Sequence, residues 1–183
     1  MKTNKKTTFG IIIGTRGFFN SELARQGRKD LIALLDKLEF DYVINNESDT
    51  PTGAIETLAD AQKVADLFTE KRKEIDGIVV CLPNFGDELA VVNAIHMAKL
   101  DVPVLVQACD DDNDKVSINE RRDAFCGKLS VCNNLYQYGI PFTDTTFHSC
   151  KIKSLTFEND LKRFASVCQV VNGLRHARIG AIG

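Results

Sequence analysis

The sequence lacks an excess of charge of either sign, and its basic residues are scattered rather than clustered. Lys and Arg total 23 against 25 Asp and Glu, so the formal net charge of the 183 residues is -2 at pH 7. Proteins that bind nucleic acids or anionic membranes carry clustered Lys and Arg. We therefore expect no nucleic-acid partner and no membrane partner, whereas a small neutral or weakly polar ligand is compatible with this composition.

Long apolar runs and paired cysteines are also missing. The basic start MKTNKKTT resembles the first part of a signal peptide, but the apolar run FGIIIG that follows is too short for one and is closely followed by Arg16. The six cysteines show neither C-x-x-C pairing nor zinc-ligand spacing. This usage is typical of reduced, mostly buried thiols, and we expect a cytoplasmic protein.

Glycine-rich phosphate-binding motifs are absent as well. Neither G-x-G-x-x-G nor G-x-x-x-x-G-K-[ST] occurs, and Gly14 and Gly17 have only G-x-x-G spacing. Without such a loop, the sequence gives no support for backbone N–H groups that surround a pyrophosphate. A flavin or nicotinamide cofactor is therefore not expected, and the sequence predicts no cofactor for this chain.

The chain does contain apolar runs that alternate with helical patterns. The runs FGIIIG, GIVVCL and VPVLVQA show no polar alternation, as expected of parallel strands that are covered on both faces. Two weaker strands are predicted near residues 42–44 and 142–146. With helical connections between the strands, this order favours an α/β fold of flavodoxin-like type, in which helices cover both faces of a doubly wound, five-stranded parallel sheet.

The helical segments lead to several specific expectations. Ser117 and Glu120 have capping-box spacing, which predicts that a long helix starts there. In the preceding helix, Leu89, Val92 and Ile95 are expected to point inward. We predict helices over residues 21–38, 57–73, 86–99 and 117–138, then a helix that ends at Gly173 and a buried strand over 177–182.

The segment from Arg121 to Gly139 carries two stripes at helical spacing. The first is apolar and is expected to face the core: Phe125, Leu129, Cys132 and Tyr136. The second combines small uncharged polar groups with one arginine, a composition that suits a hidden, hydrogen-bonded surface. We interpret this second stripe as a contact with another subunit or domain: Arg122, Cys126, Ser130, Asn133 and Gln137.

Ligands of open parallel sheets bind outside the carboxyl ends of the strands. Arg16 follows the first strand and would offer a rigid fork of donors to hydroxyls or carboxylates, although a surface arginine at a helix start is the alternative. Asn84 and Phe85 follow the third strand. Asn84 offers a hydrogen-bonding amide and Phe85 offers an apolar face, although the alternative for Phe85 is that its ring packs in the core. Asp87 and Glu88 are explained by the dipole of the helix that they precede.

Two further segments were weighed as reactive sites. The acidic run DDDND at 110–114 resembles oxygen-ligand loops for calcium or magnesium, but it lacks the glycine and distal glutamate of an EF-hand, so a solvated loop is favoured. His148 and Cys150 could form a base and nucleophile or bind a metal, yet no third partner is evident. The sequence therefore predicts no catalytic residue and no metal ligand in this chain.

Three segments carry a resemblance to a known family. CLPNFGDE, PVLVQACDDD and RRDAFCGKLSVCNNLYQYGIPFT together resemble the amino-terminal domain of the L-fucose isomerase and L-arabinose isomerase superfamily, in particular its fucose-isomerase-like branch. The resemblance spans nearly the whole chain. Because members of this superfamily have three domains, it implies that residues 1–175 form the amino-terminal domain and that 176–183 begin a truncated second domain.

The resemblance also implies a chemistry. Members interconvert aldoses and ketoses at a divalent metal, usually manganese, with carboxylates and a histidine that belong to the other two domains. A homo-oligomer is implied, in which the amino-terminal domain helps close a neighbouring subunit's site for a monosaccharide. Arg16, Asn84 and Phe85 would then contact substrate, and the isolated chain would have no turnover.

The sugar itself is not specified. The loop GTRGFFN has neither the serine-glutamine pair of arabinose isomerases nor the arginine-rich loop of fucose isomerases. The main alternative is a non-enzymatic small-molecule binding or regulatory domain of the same fold. A hydrolase that uses His148 and a cysteine is a third, weaker possibility.

Overall fold

Five parallel strands form the centre of the molecule. The computed structural model describes residues 6–117, 119–178 and 180. The strands are β1 (Thr8–Ile13), β2 (Asp41–Val43), β3 (Gly77–Leu82), β4 (Val104–Ala108) and β5 (Thr143–Asp144). They lie in the order β2-β1-β3-β4-β5, and every pairing between them is parallel. This order is that of a flavodoxin-like sheet, and the predicted fold class is confirmed.

Among the described residues, four α-helices and one short 3-10 helix connect these strands, and a fifth α-helix follows β5. The α-helices are α1 (Ser21–Lys37), α2 (Leu58–Glu70), α3 (Glu88–Ala98), α4 (Ala124–Gln137) and α5 (Leu155–Arg175), and the 3-10 helix is Glu47–Asp49. No helix in the described part of the chain is long and apolar enough to cross a bilayer.

The helices cover both faces of the sheet. Phe9 of β1 stacks on Phe164 of α5, with ring centroids 5.6 Å apart. The next residue, Gly10, faces the opposite side, where a Cβ would come within 2.9 Å of the Phe68 ring of α2. Successive residues of a strand point to opposite faces, so α5 and α2 must lie on different sides of β1. Since both faces are covered, all residues of β1, β3 and β4 are buried, which explains their unbroken apolar runs.

The start of α4 differs from the prediction. The Ser117 hydroxyl donates to the Glu120 carboxylate (2.7 Å), and the two residues form an isolated turn instead of capping the helix. The chain then bends at Asp123, whose φ of +48° is left-handed, and α4 begins at the next residue. The carboxylate of Asp111 accepts from the backbone N–H groups of Arg122 and Asp123 (2.7 and 3.1 Å), which stabilises this bend.

The predicted inward stripe of α4 is wrong for Phe125, Leu129 and Tyr136, whereas Cys132 packs against the core as predicted. Leu129 is 57% exposed and Tyr136 is 80% exposed. The buried face is instead formed by Ala124, Gly127, Lys128, Val131 and Leu135. The helix adopts this rotation because Gly127 lies directly against the backbone of Phe85 and the Lys128 ammonium reaches buried acceptors under the helix.

Smaller corrections concern α3 and the end of the chain. Val92 and Ile95 are buried as predicted, whereas Leu89 is 52% exposed. Helix α5 continues through Gly173 to Arg175, so the glycine does not end it. Ala177 and Arg178 are exposed and irregular, and the rest of the predicted strand over 177–182 lies mostly outside the described residues.

The cysteines agree with the sequence analysis. All six are free thiols, and four of them, Cys81, Cys109, Cys150 and Cys168, are buried. Cys132 is partly buried and Cys126 is exposed. The prediction of reduced, mostly buried thiols is therefore confirmed.

Candidate functional site at the carboxyl edge of the sheet

The loops that follow β1 and β3 meet at the point where the connections diverge to opposite faces of the sheet. Helix α1, which follows β1, lies beside α5, to which it is joined by an ion pair between Lys37 and Glu158 (2.7 Å). Helix α3, which follows β3, packs against α2 on the other face. Such a divergence leaves a crevice at the carboxyl ends of the two strands, which is the usual ligand position in open α/β sheets.

Hydrogen bonds join the two loops into one unit. The Asp87 N–H donates to the Thr15 carbonyl (3.0 Å), and the Asn84 amide donates to the Thr15 hydroxyl (2.9 Å). The Asn84 side-chain oxygen also accepts from the Gly86 N–H (3.3 Å), and the residue has no exposed surface. Asn84 therefore holds the loop in shape, and its side chain is not at the surface where a ligand could touch it.

Helices on both sides clamp the β3 loop. A Cβ built on Gly27 of α1 would overlap the ring of Pro83, and one built on Gly127 of α4 would overlap the carbonyl oxygen of Phe85. Gly86 itself has a φ of +68°, a left-handed conformation that favours glycine. Because the helices approach this closely, the loop that carries Phe85 is rigid.

The structure brings Arg16 and Phe85 together at this carboxyl edge of the sheet, which we call the rim. The guanidinium carbon of Arg16 lies 4.5 Å from the centroid of the Phe85 ring, a cation–π contact. The same guanidinium binds Glu88 (2.5 Å) and Asp87 (3.3 Å) through Nη2. About a third of the Arg16 side chain remains exposed. Two of the three predicted contact residues are thus neighbours that reach the surface.

Two aromatic rings in the loop before α1 extend this rim. Phe85 stacks on Phe19, with centroids 5.9 Å apart and planes inclined by 15°. Phe19 in turn contacts the exposed Phe18 edge-to-face at 5.6 Å. Neither phenylalanine is among the site residues predicted from the sequence, although their position directly after Gly17 in the first loop is a usable signal.

Besides Glu88, two more carboxylates accept hydrogen bonds from donors near Arg16. Asp87 is the N-cap of α3 and accepts from the Ala90 N–H (2.9 Å), as the helix-dipole interpretation implies. Glu56, from the segment before α2, accepts from the Gly17 N–H (2.6 Å). Nothing in the local sequence pattern identifies Glu56, because its partner lies 39 positions away.

A second cleft, with a volume of about 240 Å³, lies beside this rim. It is bounded by α1, by the loops after β4 and β5, and by Arg122, which donates to the Pro83 carbonyl (2.8 Å). Cys109 lines it and hydrogen-bonds to Cys81, which raises the pKa of the Cys81 thiol and lowers that of Cys109. Arg122 therefore lines this cleft. Because it precedes α4, it lies away from the other members of the predicted polar stripe.

The remaining members of the polar stripe lie on the accessible side of α4. Cys126, Asn133 and Gln137 are exposed, and Ser130 is partly exposed. The exposed apolar side chains of the same helix, Phe125, Leu129 and Tyr136, lie among them. We call these seven residues the α4 surface.

The acidic loop and the His148 region do not form reactive centres. Asp111 is taken up by backbone N–H groups, and Asp112 pairs with Lys151 (3.6 Å). Within residues 6–117, 119–178 and 180, no three His, Cys, Asp or Glu side chains group so that they could hold a metal ion. Burial raises the pKa of Cys150 to about 11, so this thiol is protonated near neutrality and is a poor nucleophile.

The comparison with known families extends over most of the chain. Residues 10–175 match the family described as the fucose/sulfoquinovose isomerase N-terminal domain. No curated protein matches the chain.

Proposed function

Because the chain belongs to the family of fucose/sulfoquinovose isomerase N-terminal domains, we propose that it supplies part of the sugar pocket of an aldose–ketose isomerase. Its catalytic residues would lie outside this chain. The single observation that carries this proposal is the Arg16–Phe85 pair at the carboxyl-edge rim, where the fold places ligands. The rim faces outward, so it can close a site that is completed by other polypeptide.

Each residue of the pair has a role in this proposal. The Phe85 ring presents an apolar face to the C–H groups of a sugar, and it is held by the stack on Phe19. The Arg16 guanidinium offers N–H donors in a fixed plane to sugar oxygens. Asn84 acts through the loop, which it shapes from a buried position.

The divalent metal of the parent protein, for which manganese is our expectation, is proposed to be bound by residues of the other domains. Asp111 and Asp112 of the acidic loop do not fit this task, because backbone N–H groups and Lys151 already take up their oxygens. The metal would supply Lewis-acid chemistry at the sugar's hydroxyl and carbonyl oxygens. Residues of this chain would bind and orient the sugar.

We also propose that the parent is a homo-oligomer and that the α4 surface is a contact between subunits. Exposed Leu129 and Tyr136 beside small polar groups support this, since large apolar side chains on one helix face are typical of interfaces. The proposed domain boundary is near Arg175, where α5 and the family match both end. The six free thiols support a cytoplasmic location.

The test uses the full-length protein that contains this domain, loaded with manganese and offered L-fucose. Formation of the corresponding ketose, followed by NMR, supports the proposal. Saturable sugar binding without any ketose would favour the non-enzymatic binding domain instead. Loss of ketose formation on removal of the metal, with recovery when the metal is returned, checks that the reaction depends on the metal.

A further inference from the structure

We propose that the rim around Arg16 selects neutral monosaccharides and rejects anionic ones. This inference rests on the proposed function and specifies the substrate class of the same pocket. The family description names a neutral sugar, fucose, and a sulfonated one, sulfoquinovose, so the charge of the substrate is the question to decide.

The arginine that could bind an anion is already engaged. A guanidinium binds a sulfonate or carboxylate best through two parallel N–H donors. In this chain the Arg16 Nη2 atom points to Glu88 (2.5 Å) and Asp87 (3.3 Å), and the ring of Phe85 covers the guanidinium plane. An anionic substituent would have to displace a carboxylate that is tethered beside the arginine.

The N-terminus of α3, the second feature here that could bind an anion, already carries carboxylates of the protein. Helix N-termini attract anions through free N–H groups and the helix dipole. At α3, the Asp87 side chain accepts from the Ala90 N–H (2.9 Å) as the cap, and Glu88 occupies the first turn. A third donor, the Gly17 N–H, binds the Glu56 carboxylate (2.6 Å). Two carboxylates thus contact Arg16, and a third, Glu56, binds the N–H of the following residue.

The other basic residues near Arg16 do not outnumber the acidic ones. Arg121 pairs with Asp123 (3.1 Å). Arg122 shares its cleft with Lys151 and Lys153 and with Asp30, Asp110 and Asp112. Counted with Arg16, Arg121, Asp123, Asp87, Glu88 and Glu56, these groups are seven acidic against five basic.

The chemistry of a neutral sugar matches this arrangement. A hydroxyl donates to a carboxylate and accepts from a guanidinium, so it can bridge Arg16 and Glu88 from the side while their ion pair stays in place. A sulfonate has no donor and brings a further negative charge next to Asp87, Glu88 and Glu56. Like charges placed together at a binding surface are a common means of rejecting a ligand.

The experiment compares L-fucose with sulfoquinovose in the full-length, metal-loaded protein. We expect kcat/KM for the neutral sugar to exceed that for the anionic one by about tenfold or more. The double variant Asp87→Asn/Glu88→Gln removes two charges but keeps the N-cap and the shape, and it should narrow this ratio by about fivefold, mainly through the KM of sulfoquinovose. Glu74→Gln removes one charge at the opposite edge of the sheet and should leave the ratio unchanged.

A second measurement needs no variant. If repulsion excludes the anionic sugar, added salt should raise its kcat/KM and leave that of L-fucose unchanged, because salt screens charges near the surface. Equal or better turnover of sulfoquinovose, or a ratio that the double variant leaves unchanged, would overturn the inference while the isomerase assignment stands. No turnover of either sugar, or of any other aldose in a panel of neutral pentoses and hexoses, would overturn the proposed function, and this inference with it.

Discussion

The carbonyl oxygen of Phe85 lies directly against the Cα of Gly127, where no Cβ fits. This contact joins α4 to the loop that carries the proposed sugar-binding ring. It also explains why α4 turns Gly127 and Lys128 toward the sheet and leaves Leu129 exposed. One glycine thus fixes both the position of Phe85 and the rotation of a helix.

Gly127→Ala should destabilise the domain markedly. The added methyl would overlap a backbone carbonyl that Pro83 and Gly86 hold in place, and overpacking of this kind costs about 1–3 kcal/mol or more. Chemical denaturation of the domain measures the loss. Gly173→Ala is the matched control, because nothing lies within 4 Å of its added Cβ and alanine favours a helix by about 0.5–1 kcal/mol. Equal effects of the two changes would contradict the close contact.

Arg16→Ala in the full-length protein should raise KM for a neutral sugar by about tenfold, or lower kcat/KM by a similar factor, since it removes charged donors from the rim. Steady-state kinetics with L-fucose measure this. Arg16→Lys keeps the charge but loses the planar fork, so we expect only partial recovery. Arg72→Ala, at the opposite edge of the sheet, is the control. Unchanged kinetics in Arg16→Ala would remove this residue from the site.

Lys128→Met should cost about 1–3 kcal/mol of unfolding free energy, because it leaves buried acceptors without their donor. The Lys128 ammonium donates to the Thr145 hydroxyl (2.8 Å) and the His148 carbonyl (2.9 Å), and it also pairs with Asp144. Urea denaturation is the measurement. Lys153→Met breaks an exposed ion pair with Asp30 and should change stability by less than about 0.5 kcal/mol.

The domain should lose stability in alkaline solution because of its buried thiols. Burial raises the pKa of Cys168 from its ordinary value of about 9 to about 12. The folded state therefore keeps the proton that the unfolded state releases, so this contribution is complete below pH 9 and declines from there to about pH 12. Unfolding free energies across this interval measure it. Cys168→Ala should flatten the decline, and an unaltered slope in that variant would contradict the assignment.

Thiol labelling of the folded chain should single out Cys126. This thiol is exposed, whereas burial raises the pKa of the partly buried Cys132 to about 11 and lowers its thiolate population. Mass spectrometry after brief alkylation near pH 8 identifies the modified site. We expect Cys81, Cys150 and Cys168 to react only after unfolding. Rapid labelling of Cys150 in the native protein would show that the fold is more open there than described.

The strands and the edge that carries the candidate site could be predicted because their signals are local. In β1, β3 and β4 every residue is buried, so the apolar runs mark them directly. Once the parallel order is known, the loops with Arg16 and Phe85 must lie at the same edge.

The side of α4 that faces the core could not be predicted from periodicity. A hydrophobic stripe of Leu129 and Tyr136 is as regular as any core stripe, and the decisive contact of Gly127 lies with a backbone carbonyl 42 positions earlier. The pairing of Arg16 with Glu88 spans 72 positions and also leaves no local trace. Such contacts depend on how the loops pack, which residue types alone do not specify.

The two outermost strands have a consequence for how copies of the protein associate. β2 has three residues and β5 has two, so each side of the sheet offers another chain only a few free backbone groups. Long, flat strand edges are the usual template for uncontrolled sheet growth, and short ones resist it. Growth of the sheet from one copy into the next is therefore disfavoured at both of its sides.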